Sequence, residues 1–303
     1  MTQIRANGIA LEYDEIGPRD GVPFLFINGF GTQSTGWPDE YRQGMAKAGL
    51  RYITFDNRDV GLTQKWTGQI PKKDEKPPYT LDDMAADAAG LLDALGIESA
   101  HICGASMGGM IAQLVALNHL GKTRSLISIF STTSDRSLPP SSPEAQAALM
   151  TRAPSADRAG VIVHTLKGRR TYASTRWPFD EARLGALVGR NFDRSFYPEG
   201  TLRQWAAIMA GAPRTERLKS LNLPALVLHG SADTLIRPEA GRHTAECIPG
   251  AEYHEIEGWG HDMPLEAIPI VQGFILDFVA RVEEQRKKAS FLSPPPCGEV
   301  EIS

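Results

Sequence analysis

The pentapeptide Gly104-Ala105-Ser106-Met107-Gly108 decides how the chain folds around it. It follows the short apolar run at residues 100–103 and opens a helix-like stretch at residues 109–117. The order strand, sharp turn, helix strains the backbone of Ser106, and small residues two positions away on either side let strand and helix approach. The hydroxyl then projects above the sheet, with helix N–H groups facing any oxyanion formed there. The context predicts a nucleophilic serine, while the pentapeptide alone also fits an ordinary helix N-cap.

A second glycine-containing loop supplies a candidate oxyanion donor. Residues 23–27 are continuously apolar, which is typical of a parallel strand buried on both faces. They run into Asn28-Gly29-Phe30-Gly31. Such a loop can turn the backbone N–H of Phe30 toward the Ser106 site, with the N–H of Met107 as its partner. The alternative for this loop is a plain turn.

An acid and a base follow two later strands. Asp233 lies at the carboxyl end of the apolar strand at residues 225–230, and His261 lies on a turn after a short strand at residues 253–256. Side chains at strand ends meet at one edge of an open α/β sheet. A lone Asp or His is usually solvated or caps a helix, but the order Ser, Asp, His favours a catalytic set. Asp135 is a second acid within reach, although it lies farther past its strand than Asp233 does.

The rest of the chain alternates strand and helix patterns. Alternating polarity at residues 9–16 predicts an antiparallel edge strand, and buried strands with intervening helices predict an α/β sheet covered on both faces. After the strand at residues 126–130, about 80 residues lack strand signals, far more than an ordinary connection contains. We therefore predict a core domain of residues 1–133 and 221–285, a helical cap at 134–220 inserted after the sixth strand, and an unpacked tail at 286–303.

These features together resemble the α/β-hydrolase superfamily over roughly residues 3–284. The resemblance implies a mostly parallel eight-stranded sheet with Ser106 as nucleophile, His261 as general base and Asp233 as its orienting acid. It also implies that Phe30 and Met107 are the oxyanion donors, and that neither a cofactor nor a metal is needed. Residues 36–40, 56–61 and 104–109 are more narrowly similar to the aclacinomycin methylesterase branch. One departure is Asn28, where most members carry histidine.

Composition limits the class of protein. The 303 residues are 42% hydrophobic and 22% charged, which suits one large domain or a domain with an insertion. Three cysteines cannot all pair, and Cys103 lies in a predicted core strand, so we expect a reducing compartment. The N-terminus lacks an apolar signal core, and no run approaches the length of a membrane helix. We expect a cytoplasmic protein without membrane partners, and the net charge of −4 gives no nucleic-acid footprint.

The expected function is a cofactor-free serine hydrolase that cleaves a carboxylic ester through an acyl-enzyme. A lactonase, a C–C bond hydrolase or a perhydrolase would use the same triad, and a non-catalytic binding protein on this scaffold is the alternative from another class. All predicted catalytic residues lie outside the cap, so we expect the cap to set substrate choice. The candidate pocket residues, which favour an ester with an apolar or aromatic group, are Trp37, Trp177, Trp205 and Trp259. The sequence leaves a homo-oligomer open.

Overall fold

A mixed eight-stranded sheet forms the centre of the molecule. The structure is a computed structural model that describes residues 2–68, 70–72 and 75–292. The strand order is β1-β2-β4-β3-β5-β6-β7-β8; β1 and β2 pair antiparallel, as do β2 and β4, and the other neighbours are parallel. The strands are β1 Thr2–Ala6, β2 Ile9–Ile16, β3 Val22–Ile27, β4 Leu50–Phe55, β5 Ala100–Ala105, β6 Thr123–Ile129, β7 Ala225–Gly230 and β8 Glu252–Ile256. The predicted fold class, a mostly parallel eight-stranded α/β sheet, is confirmed.

Helices cover the sheet and fill the long connection between β6 and β7. Those outside that connection are α1 Asp39–Lys47, α2 Leu81–Ala94, α3 Met107–Asn118, α9 Pro238–Cys247 and α10 Ile268–Leu292. Those inside it are α4 Pro143–Met150, α5 Arg158–Arg170, α6 Glu181–Arg194, α7 Pro198–Ala210 and α8 Thr215–Lys219. We call residues 134–220 the inserted segment. Within the described chain, no helix is both long and apolar enough to cross a membrane.

The core has one layer on each face of the sheet. Alternate residues of a strand point to opposite faces, so Leu25 and Ile27 pack with α2 and α3 while Phe24 and Phe26 pack with α1 and α10. Helix α2 begins at a capping box, in which Thr80 Oγ1 accepts the Asp83 N–H and the Asp83 carboxylate accepts the Thr80 N–H. Both layers hold the parallel strands so that their carboxyl ends share one edge.

At the N-terminal end of the chain, one expectation differs from the structure. Strand β1 lies outside β2, so residues 9–16 do not form the sheet edge. Most of β1 is solvent-exposed, and its sequence therefore lacks the apolar run that marks a buried strand. At the other end, α10 continues to Leu292, so the predicted unpacked tail begins as a helix, and its residues 286–289 are exposed to solvent. The remainder, residues 293–303, lies outside the described residues.

Candidate active site

Ser106 occupies a strained turn between β5 and α3. Its φ of 57° and ψ of −122° are unusual for a residue with a side chain. A Cβ on Gly104 would lie 2.0 Å from the Gly108 carbonyl oxygen, and a Cβ on Gly108 would lie 2.0 Å from the Ile27 carbonyl oxygen. Both positions therefore require glycine for strand and helix to approach. Within the described chain, the Ser106 hydroxyl makes no capping bond to α3, which argues against the N-cap interpretation.

Backbone hydrogen bonds fix this turn to the end of β6. The Ser106 N–H donates to the Ile129 carbonyl at 3.0 Å, and the Ser131 hydroxyl donates to the Ser106 carbonyl at 2.7 Å. The Ser106 carbonyl also accepts the N–H groups of Gly109 and Met110. The strained conformation is thus held by neighbours on both sides, as such backbone strain requires.

The loop that carries Phe30 lies directly against Ser106. A Cβ on Gly29 would be 3.3 Å from the Cβ of Ser106. Asn28 donates through Nδ2 to the Thr54 hydroxyl at 2.9 Å, and its carbonyl accepts from Nδ2 of Asn57 at 2.9 Å. The asparagine that departs from the family pattern is therefore a buried anchor for the loop. Phe30 is the next residue of this loop after Gly29.

The Asp233 carboxylate is buried and contacts His261. Its Oδ2 lies 2.7 Å from Nδ1 of His261, and its Oδ1 accepts the N–H groups of Leu235 and Ile236 at 2.9 Å. Burial by itself would raise the pKa of this carboxyl, but the charge of His261 and hydrogen bonds from His229 and His261 lower the pKa to about 2. Asp233 is consequently an anion at neutral pH, oriented by two backbone donors.

His229 is a neighbour that sequence reasoning missed. It is fully buried at the end of β7, with Nε2 2.8 Å from the Ile236 carbonyl and 3.5 Å from Oδ2 of Asp233. A Cβ on Gly241 would lie 2.4 Å from its Nδ1, so the imidazole needs a glycine opposite. Apart from its place at the strand end, no local pattern distinguishes this histidine from one in the core.

His261 packs between two aromatic rings. The Phe130 ring is 4.5 Å from the imidazole centroid, and the Tyr172 ring meets it edge-on at 6.0 Å. Phe130 has a φ of 34° and directly follows Ile129, the residue that accepts the Ser106 N–H. The turn of Ser106 and the imidazole of His261 therefore lie on either side of the end of β6.

The other candidate acid is engaged elsewhere. The Asp135 carboxylate accepts the Ser137 N–H at 3.0 Å and hydroxyl groups of Ser137 and Thr215 at 2.7 and 2.8 Å. The Ser137 hydrogen bonds, helped by Thr215, lower the pKa of Asp135 to about 2. The Ser137 contacts form a local turn at the start of the inserted segment, and the Thr215 contact joins that turn to the start of α8.

The four candidate tryptophans have different surroundings. Trp205 meets the Phe30 ring edge-on at 6.1 Å, and half-buried Trp177 lies under the Arg176 guanidinium at 5.2 Å. Trp37 packs on Phe26 and borders a cleft. Trp259 differs from the expectation: it is fully buried and its indole N–H donates to the Asp262 carbonyl at 2.7 Å. Its ring fills the core beneath the histidine turn and is not available to a substrate.

A cleft of about 590 Å³ opens between α6 and the core loops. Its walls include Trp37, Phe179, Leu187, Asp262 and Met263. None of Ser106, Asp233 and His261, all of which the structure describes, is among its lining residues. The cleft therefore borders the histidine turn at Asp262 and does not contain the candidate triad.

Two buried ion pairs fix the inserted segment to the core. Arg194 lies 2.7 Å from the Asp56 carboxylate, and Nε of Arg203 lies 2.8 Å from that of Asp59. Both carboxylates are fully buried and lie in the loop after β4. Removal of one partner of a buried pair leaves an uncompensated charge. These pairs thus hold α6 and α7 in a fixed position relative to residues 56–61.

The chain is similar in sequence and fold to known hydrolases. Residues 22–268 match the family model described as alpha/beta hydrolase fold. Rhodomycin D methylesterase of Streptomyces sp. strain C5 is 26% identical over 282 residues, covering 86% of this chain and 92% of that protein. The bifunctional esterase/perhydrolase of Acinetobacter calcoaceticus is 23% identical over 299 residues, covering 90% and 97%. The solved enol-lactonase of Burkholderia xenovorans LB400 has a TM-score of 0.72 at 24% identity, covering 92% of this chain and 100% of that one.

Proposed function

Because the chain belongs to the alpha/beta hydrolase fold family and is a hydrolase, we propose that it is a cofactor-free serine esterase. The observation that carries this proposal is the 2.7 Å contact between Oδ2 of Asp233 and Nδ1 of His261. When Nδ1–H donates to the carboxylate, Nε2 carries the lone pair. That tautomer is the one able to take a proton from a serine hydroxyl.

The reaction proceeds in two halves. Oγ of Ser106 attacks the acyl carbon of the ester while its proton passes to Nε2 of His261. The N–H groups of Phe30 and Met107 hold the oxyanion of the tetrahedral intermediate. Collapse breaks the carbon–oxygen bond to the alcohol, which takes the proton from His261. Water then attacks the acyl-enzyme in the same way and releases the carboxylic acid and free Ser106.

Three features of the site support this assignment. The strained φ of Ser106 is the conformation expected of a nucleophile on a strand-to-helix turn. The loop that carries Phe30 lies close to Ser106, since a Cβ on Gly29 would be 3.7 Å from the Ser106 Oγ, and this proximity supports Phe30 as an oxyanion donor. The Trp205 ring meets the ring of Phe30, the proposed oxyanion donor, edge-on, and such an aromatic pair favours an ester with an apolar or aromatic group.

The test measures turnover of esters, of lactones, of diketones with a cleavable C–C bond, and of peroxide with an acid, by the purified wild-type protein and by Ser106→Ala. We expect ester turnover that falls by about four orders of magnitude in Ser106→Ala, because nucleophile and base act as one unit. Faster turnover of lactones, of C–C bonded diketones or of peroxide with an acid would reassign the substrate to one of the rival reactions. Binding of esters without turnover would instead indicate a non-catalytic binding protein.

A further inference from the structure

Contacts with another part of the chain fix the conformation of the turn that carries His261. Two glycines, Gly258 and Gly260, flank Trp259 in this turn, and Gly258 has a φ of +69°. Glycine backbones have access to many conformations, so such a turn does not define the direction of the next side chain. Contacts from the rest of the chain must fix the imidazole.

Those contacts come from the connection between α5 and α6 in the inserted segment. The His261 N–H donates to the Tyr172 carbonyl at 2.7 Å. The Gly258 carbonyl accepts the N–H groups of Thr175 at 2.8 Å and Arg176 at 3.1 Å. The connection therefore runs alongside the histidine turn and hydrogen-bonds to its backbone at both ends.

Ser174 binds the residues on both sides of His261. Its Oγ accepts the Gly260 N–H at 3.0 Å and donates to Oδ1 of Asp262, which also accepts the Ser174 N–H at 3.1 Å. One hydroxyl thus links the residue before the histidine to the side chain of the residue after it. A Cβ on Gly260 would lie 2.4 Å from the Ala173 carbonyl carbon, so only glycine permits this approach.

The Asp262 carboxylate depends on its hydrogen bonds with Ser174. It is partly buried, and burial raises the pKa of Asp262 although hydrogen bonds from Ser174 oppose that effect. Without the Ser174 hydroxyl, the carboxylate loses one of the two donors that the described residues supply, and the Gly260 N–H loses the Ser174 oxygen as its acceptor. Both groups then gain by turning toward water, and His261 lies between them.

We propose that Ser174 is a positioning residue that holds His261 in line with Asp233 through its bonds to Gly260 and Asp262. This inference rests on the proposed function, in which His261 is the general base. It assigns to the inserted segment a part in the chemical step, whereas the sequence suggested that the segment sets only substrate choice. Because a displacement of about 1 Å costs about a hundredfold in rate, a small rotation of the imidazole is sufficient to matter.

The kinetic experiment compares Ser174→Ala with Thr175→Ala as a matched control. Thr175 is the next residue, is exposed, and contacts the turn through a hydroxyl 3.4 Å from the Gly258 carbonyl. We expect Ser174→Ala to lower kcat about tenfold to a hundredfold with KM within about twofold, since the interaction orients a reacting group. Thr175→Ala should remain within about twofold in both. Equal kcat for the two variants, or a change confined to KM, would overturn the proposal.

A second measurement does not depend on turnover. The proton shared by His261 Nδ1 and Asp233 gives a downfield NMR resonance, which we expect to broaden or vanish in Ser174→Ala and to persist in Thr175→Ala. Persistence in both variants would overturn the positioning role even if the wild type hydrolyses esters. Loss of the signal in Ser174→Ala from a protein without ester turnover would support that role and reject the esterase.

A variant at the other side of the link covers the case in which Ser174→Ala fails to fold. Asp262→Ala removes the acceptor and should reduce kcat by a similar factor. In the double variant the two losses should not multiply, because both disrupt one link. Multiplying losses would show that the residues act independently and would overturn the proposal.

Discussion

Gln204 in α7 accepts the backbone N–H of Gly31 at 2.9 Å and donates to the Arg58 carbonyl at 2.9 Å. The side chain is fully buried and joins the inserted segment to two core loops. Gly31 follows Phe30, the proposed oxyanion donor, so the amide fixes the loop on which that donor lies. Removal of the amide leaves the buried Arg58 carbonyl without this donor, at a cost of about 1–3 kcal/mol. It also releases the N–H of Gly31, an exposed residue, from the bond that holds the loop.

We therefore predict that Gln204→Leu lowers kcat about tenfold or more through a displaced oxyanion loop. Gln272→Leu is the control, since Gln272 donates to the Tyr41 carbonyl in α1 and not to the loop of Phe30. Steady-state kinetics and thermal unfolding of both variants give the comparison. If both variants lose the same stability and both keep the wild-type kcat, Gln204 does not position the oxyanion loop.

A second prediction concerns the acid of the triad. Asp233→Asn should reduce kcat by several orders of magnitude, about 10⁴ in the serine-protease analogue, because the amide favours the wrong imidazole tautomer. Asp135→Asn should be mild, since the Asp135 carboxylate bonds to Ser137 and Thr215. Kinetics with one ester suffice for both variants. If Asp135→Asn is the crippling change, the assignment of the acid is wrong.

A third prediction concerns Trp205, whose ring meets that of Phe30 edge-on. Trp205→Ala should raise KM for a bulky aromatic ester while leaving kcat for an acetate ester within about tenfold, the pattern of lost uniform binding. Trp177→Ala removes a ring that packs on the core and should change the same preference less. The measured quantity is the ratio of kcat/KM for bulky and small esters. An unchanged ratio in both variants would move the pocket to other residues.

A fourth prediction concerns stability at low pH. Nε2 of His101 in β5 lies 3.2 Å from Oε1 of Glu283 in α10, and Arg124 lies 3.0 Å from the other carboxylate oxygen. The contact with His101, followed by the Arg124 charge, lowers the pKa of Glu283 to about 2, while burial lowers the pKa of His101. As the pH falls, the unfolded chain therefore binds protons before the folded protein does, and the free energy of unfolding decreases.

Glu283→Gln removes the charge of the carboxylate and keeps His101, so it distinguishes the effects of the two groups. In the wild type, the contribution of the Glu283 carboxylate to the free energy of unfolding is fully present above about pH 4.5, the ordinary pKa of the carboxyl. That contribution is lost as the pH falls toward 2. We expect the variant to be less stable by about 1–2 kcal/mol at pH 7, as for a charged hydrogen bond that is partly solvated. Urea unfolding at pH 7, 5 and 3 should show that the difference in free energy of unfolding between wild type and variant becomes smaller as the pH falls. A difference that stays constant would contradict the linkage.

The sequence predicted those features that depend on short-range spacing. Glycines two residues from Ser106 belong to the turn itself, and the structure shows that a Cβ at either position would strike backbone. The apolar runs that became β3, β5, β6 and β7 are buried on both faces, which is why they could be identified without pairing information.

Contacts between distant parts of the chain could not be predicted in the same way. Ser174 and Asp262 are 88 positions apart, and Gln204 and Gly31 are 173 apart. No periodicity or motif links such residues, because their contact follows from how α5 to α7 pack on the core. Trp259 shows the same limit: it was a candidate pocket residue, but its ring is fully buried and packs on Phe130.

The central claim is that Ser106 is the nucleophile, and mass spectrometry after treatment with a fluorophosphonate tests it most directly. The reagent phosphonylates a serine activated by a neighbouring base. We predict one adduct per wild-type chain, located on the peptide that contains Ser106, and none in Ser106→Ala. An adduct on another residue, or an alanine variant that still hydrolyses esters at the wild-type rate, would contradict the account.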